Sequence, residues 1–133
     1  MNHPRLMKHR QLALGFIPIF LLFFFPMDEA LADKAAVTIE APAEAAKGGE
    51  ITIVLNVTHS ADNFFHHVNW VEVWLNGQTA FRWEYPAFDL PSAATFKKEI
   101  KMKVEGDTEI KAEANCNIHG SKGPAIVNLK TKE

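Results

Sequence analysis

From residue 33 onward the chain runs in short stretches of β-branched and aromatic residues broken by glycine, proline and asparagine, which is the punctuation of strands rather than helices. Over residues 50–58, Ile51, Ile53, Leu55 and Val57 occupy alternate positions. A period of two puts them on one face of a strand. Residues 68–75 are apolar in both registers, with Val68, Trp70 and Trp74 on one side and Val71, Val73 and Leu75 on the other, so a strand covered on both faces is expected. Asn76-Gly77 follows at once. Both residues tolerate the positive φ of a type I′ turn, so a hairpin should lead into a return strand over 79–85.

Further strands are expected over 37–41, 95–104 and 125–130. Over 110–116, Ile110, Ala112, Ala114 and Cys116 share one face while Lys111, Glu113 and Asn115 share the other. Lys47-Gly48-Gly49 and Glu105-Gly106-Asp107 supply turns, and residues 43–46 have room for one helical turn at most. About seven short strands without an amphipathic helix predict an all-β domain, two sheets packed as an immunoglobulin-like sandwich.

The first 32 residues have a different character. Arg5, Lys8 and Arg10 precede an apolar run from Leu12 to Pro26, and Ala30-Leu31-Ala32 follows as a small-x-small cleavage site. This is the layout of a secretory signal peptide. The apolar run is about 15 residues, short of the roughly 20 that span a bilayer, and Pro18 and Pro26 interrupt it. A signal peptide over 1–32 and one domain over 33–133 are therefore expected, in a protein exported to the periplasm or beyond and not inserted stably in a membrane once cleaved. The 133-residue chain carries a formal net charge of −2, with no basic stripe to suggest a nucleic-acid surface.

Export changes the meaning of the single cysteine. Exported proteins usually pair their cysteines, and Cys116 has no partner in this chain. It could be buried and inert, joined to another chain, or held as a thiolate by a metal. His119 lies three positions on, followed by Gly120, so a soft sulfur and an imidazole share one turn at a strand end. His59 closes one expected strand, and His66 and His67 open the next. Cysteine with histidine suits iron, copper or zinc rather than the oxygen-seeking magnesium or calcium. Adjacent residues in extended chain point to opposite faces, so only one of His66 and His67 should join His59, and His66 is the candidate. Ser92 and Ser121 lack a nucleophile elbow, and there is no phosphate-binding glycine loop.

Cys116-Asn117-Ile118-His119-Gly120, His59 followed by His66-His67-Val68-Asn69-Trp70, and Ile39-Glu40-Ala41-Pro42 with its Lys-Gly-Gly-Glu turn together resemble the superoxide reductase family, which includes neelaredoxin and the iron-binding domain of desulfoferrodoxin. The resemblance implies an immunoglobulin-like sandwich holding a mononuclear non-haem iron on four equatorial histidines and one axial cysteine. Carried onto this chain, it makes Cys116 the axial ligand, His59, His66 and His119 equatorial ligands, and Lys34 the catalytic cation near the open position. The fourth equatorial place falls on Ala35, which has no donor, leaving water, His67 or the amine of Asp33 to fill it. Ser60 also replaces a family proline, and the interval from His59 to His66 is one residue longer. The implied reaction is reduction of superoxide to hydrogen peroxide with an electron from an unknown donor protein. Two other functions compete on the residues alone: a non-catalytic iron or copper module for electron transfer or metal handling, and an adaptor domain without metal.

Overall fold

Each alternating run becomes a strand in the computed structural model, which describes residues 34–133; the leader expected over 1–32 lies outside the described residues. The strands are β1 (Ala36–Glu40), β2 (Glu44–Ala46), β3 (Glu50–Thr58), β4 (Val68–Leu75), β5 (Gln78–Glu84), β6 (Thr95–Lys103), β7 (Thr108–Cys116) and β8 (Ala125–Lys132). They form a three-stranded sheet ordered β1-β3-β6 and a five-stranded sheet ordered β2-β8-β7-β4-β5. Among the described residues no helix is long and apolar enough to cross a membrane.

The inward positions of the two sheets make one core. Ile53, Leu55 and Val57 of β3 face Val71 and Val73 of β4, Ile110, Ala112 and Ala114 of β7, and Leu129 of β8, all essentially without exposed surface. Burying each larger aliphatic side chain contributes about 1.5–3 kcal/mol, and this is what selects the strand registers. β3 pairs with β6 along its whole length, from Glu50 opposite Lys103 to Thr58 opposite Thr95.

Two features differ from the sequence expectation. Residues 43–46 do not turn as a helix; β2 lies parallel to β8 as an eighth strand, with the Lys130 N–H donating to the Ala43 carbonyl at 2.8 Å and the Lys47 N–H to the Lys132 carbonyl at 2.9 Å. Four residues between Pro42 and Lys47 cannot meet the nucleation cost of a helix, whereas a sheet edge satisfies their backbone directly. In β4, the face carrying Trp70 and Trp74 is not covered by another layer. Each indole is half-buried beneath a cation instead: the Arg82 guanidinium lies 5.0 Å from the Trp70 ring and the Lys111 ammonium 4.4 Å from Trp74.

A bulge lies between Val68 and Trp70. Val68 pairs with Cys116 and Trp70 with Asn115, leaving Asn69 as the extra residue. The start of β1, the end of β3, the start of β4 and the end of β7 all lie at one pole of the sandwich, and a bridge between Ala35 and Ser121 ties the two sheets together there.

The β4–β5 turn has the expected form, with φ of 48° at Asn76 and 79° at Gly77. A Cβ at Gly77 would meet nothing within 4 Å, so Gly77→Ala tests backbone strain alone. It should destabilise the domain by about 1–2 kcal/mol. The check is denaturant unfolding, with a lower midpoint and an unchanged slope.

Candidate metal centre

β3 ends at Thr58, and His59 leaves the sheet with its N–H on the Ala94 carbonyl at 3.0 Å. The His59 ring places Nδ1 2.6 Å from the Ala61 carbonyl oxygen. A carbonyl only accepts, so this short contact is a hydrogen bond when Nδ1 carries the hydrogen, which puts the lone pair on Nε2; the Ala61 N–H lies 3.4 Å from the same Nδ1. This is the orientation that a hydrogen bond to the far nitrogen gives a metal-binding histidine.

Asn63 folds the following loop back on itself. Its Oδ1 accepts the N–H groups of Phe65 and His66, each at 3.0 Å, and its backbone exchanges hydrogen bonds with His66 at 3.0 and 3.1 Å. The loop thereby sets the His66 ring edge-on to His59, with centroids 4.6 Å apart, and to His119 at 4.8 Å.

On the other side, β7 delivers Cys116 on its inward face with 1% of its surface exposed. The chain then turns tightly: the Cys116 N–H donates to the Gly120 carbonyl at 3.0 Å and the Gly120 N–H returns to Cys116 at 3.1 Å, with Gly120 at a φ of 80° that favours glycine. Inside this turn the N–H groups of Ile118 and His119 both point at the Cys116 sulfur, each at 3.4 Å. They bring partial positive charge to an atom that, as a metal ligand, would carry negative charge.

His59, His66 and Cys116 form a set whose donor atoms all lie within 4.8 Å of one another. His119 joins it through two members, with Nδ1 3.1 Å from His66 Nε2 and 3.9 Å from the Cys116 sulfur. Two nitrogens on bonds of about 2.1 Å at right angles are about 3 Å apart, and donors on opposite sides of one ion up to about 4.5 Å. His59, His66 and Cys116 fit the donor spacing of a single transition-metal ion, with His119 beside two of them, and their nitrogen and sulfur atoms suit iron, copper or zinc.

His67 takes a different place. It is 3% exposed, with Nδ1 3.0 Å from the Asn63 carbonyl and Nε2 3.1 Å from the Tyr85 carbonyl, so its ring anchors the loop to the end of β5 and both nitrogens are already engaged. Lys34 is exposed ahead of β1. Ala35 is completely buried, its N–H donating to the Gly120 carbonyl at 3.1 Å and its carbonyl accepting from the Lys122 N–H at 2.8 Å. Phe65 and Ile118 flank the histidine and cysteine loops with most of their surface exposed.

One residue that sequence reasoning passed over joins the two loops. Asn117 accepts the His67 N–H on Oδ1 at 3.0 Å, donates from Nδ2 to the Phe65 carbonyl at 3.0 Å, and donates its own N–H to the His67 carbonyl at 3.1 Å. Its place between Cys116 and His119 was the available signal, since an asparagine side chain offers both a donor and an acceptor to backbone.

The family model described as Desulfoferrodoxin matches residues 28–121. No curated protein matches the chain in sequence. Among solved structures, a superoxide reductase (neelaredoxin) from Ignicoccus hospitalis superposes with a TM-score of 0.62 at 19% identity, over 74% of this chain and 82% of that one. A Thermotoga maritima protein provisionally assigned as a superoxide reductase gives 0.58 at 22%, over 74% and 86%. The PKD domain of an M14-like peptidase from a Thermoplasmatales archaeon gives 0.56 at 11%, over 77% and 99%, so the sandwich itself is shared well beyond proteins with such a name.

Asn117→Ala removes both side-chain ties between the loops. Each is worth about 1 kcal/mol, so the His67 amide should exchange with solvent roughly tenfold faster or more, while amides in the middle of β3 and β7 stay unchanged. Hydrogen exchange followed residue by residue checks this.

Proposed function

Because the chain belongs to the desulfoferrodoxin family, we propose that it is an exported mononuclear non-haem iron protein that reduces superoxide to hydrogen peroxide, with His59, His66, His119 and Cys116 as the iron ligands. The observation that carries this is the meeting of the His66 and His119 nitrogens at 3.1 Å beside the buried Cys116 sulfur, although the three residues come from two separate loops. Iron held there would supply one electron to superoxide, which with two protons becomes hydrogen peroxide. A donor protein would then return the electron.

The chain's own residues serve this chemistry in distinct ways. The Ile118 and His119 N–H groups fix the sulfur and compensate its charge, and hydrogen bonding around a ligand sulfur is a recognised way of setting a centre's potential. Nδ1 of His59 is held by Ala61, which orients the ring so that Nε2 is the donor. Lys34 offers an exposed cation that would attract a small anion and help deliver a proton. The leader over residues 1–32 supports export to the periplasm.

The defining experiment is superoxide consumption by the reduced, iron-loaded protein: one peroxide should form per superoxide, without the dioxygen that a dismutase releases. Cys116→Ser should abolish the visible absorption of the oxidised iron protein while leaving its far-ultraviolet circular dichroism unchanged, and an unaltered spectrum would remove the cysteine from the site. Lys34→Ala should slow the second-order reaction with superoxide about two- to threefold at low salt and much less at high salt, measured by pulse radiolysis.

A further inference from the structure

Position 35 lies where a donor to the same ion would be placed. β1 and β3 are paired up to Ala36 opposite Thr58, so the next inward positions on the two strands are Ala35 and His59. Inward is the right sense, since Val37, Val57 and Leu55 of the same faces are all buried. The Ala35 backbone is bonded to Gly120 and Lys122, on the segment that immediately follows His119. A side chain at 35 therefore enters the pole of the sandwich between two candidate ligands, and a methyl group brings no lone pair to it. His67 does not compensate, because both its ring nitrogens face carbonyl oxygens.

The described residues thus offer three imidazoles and one sulfur, whereas iron with nitrogen and oxygen ligands commonly takes five or six donors. We propose that the centre has two exchangeable coordination positions, one of them on the side of Ala35, and that a small external nitrogen or oxygen donor fills that one. Superoxide or another small anion would occupy the remaining position, so the centre could hold two small ligands at once. The inference rests on the iron site proposed above.

The test is ligand binding to the ferric protein, followed by absorption and electron paramagnetic resonance, with imidazole and azide as probes. Imidazole should bind saturably and form a ternary complex with azide, changing the azide dissociation constant by less than about threefold. An azide dissociation constant that rises in proportion to imidazole means one shared position, and would overturn the proposal. Ala35→His should lose imidazole binding and keep azide binding; if that variant does not fold, as judged by circular dichroism, competition in the unaltered chain still decides. Asp62→Asn identifies one internal rival, because Asp62 Oδ1 is buried without a hydrogen-bond partner in the loop after His59. If binding is exclusive in the unaltered chain and ternary in Asp62→Asn, that carboxylate has taken the position and the proposal fails. A chain that retains no iron loses the site and this inference together, while retained iron with mutually exclusive ligands loses only the inference.

Discussion

The pairing of β4 with β7 ends with Val68 opposite Cys116, and this register governs where the candidate ligands go. It places His66 and His67, which lead into β4, beside the turn that carries Cys116 and His119. A slip of one residue would turn every inward side chain of β7 outward and carry the sulfur out of the core with them. Val71, Val73, Ile110, Ala112 and Ala114, all fully buried, make such a slip costly. The hydrophobic core thus sets the position of the polar site, and the bulge at Asn69 keeps both Val68 and Val71 inward.

Within that frame the loops are shaped chiefly by asparagine. Asn63 builds the turn that presents His66, Asn117 fastens that turn to the cysteine loop, and Asn115 donates Nδ2 to Asn69 at 2.8 Å and to the Cys116 carbonyl at 2.9 Å. Each uses a short side chain to satisfy backbone groups that no strand can pair at the end of the sandwich. The backbone beneath the candidate ligands is thereby satisfied without drawing on the His119 ring or the Cys116 sulfur, which lie 3.9 Å apart.

The strand pattern was legible because it depends on a period of two, and the β4–β5 turn because Asn76-Gly77 is nearly unambiguous. β2 was not legible. Glu44, Ala45 and Ala46 carry no alternation, and only the neighbouring backbone of β8 makes them a strand. The exposed side of β4 misled for a related reason, since two tryptophans read as buried until Arg82 and Lys111 are seen to cover them. His66 was preferred to His67 on strand parity, yet both lie in the bend ahead of β4 rather than in extended strand. What His67 does instead could not be foreseen, because its partners, the carbonyls of Asn63 and Tyr85, are backbone atoms brought near by the fold. Asn117 was hidden in the same way, as a residue whose role is spent on backbone of a distant loop.

Ala35 shows why kinship of fold and completeness of a ligand set are separate matters. Its backbone carries the bonds to Gly120 and Lys122 and the bridge to Ser121, while its methyl group is completely buried in the core. The strand pairs at this pole form with only a methyl group at position 35, whereas Cys116 takes part in both the core and the turn behind it. At the proposed centre, coordination number would be the property least protected by the fold, and it is there, rather than in the strands, that a chain of this architecture could acquire a different chemistry.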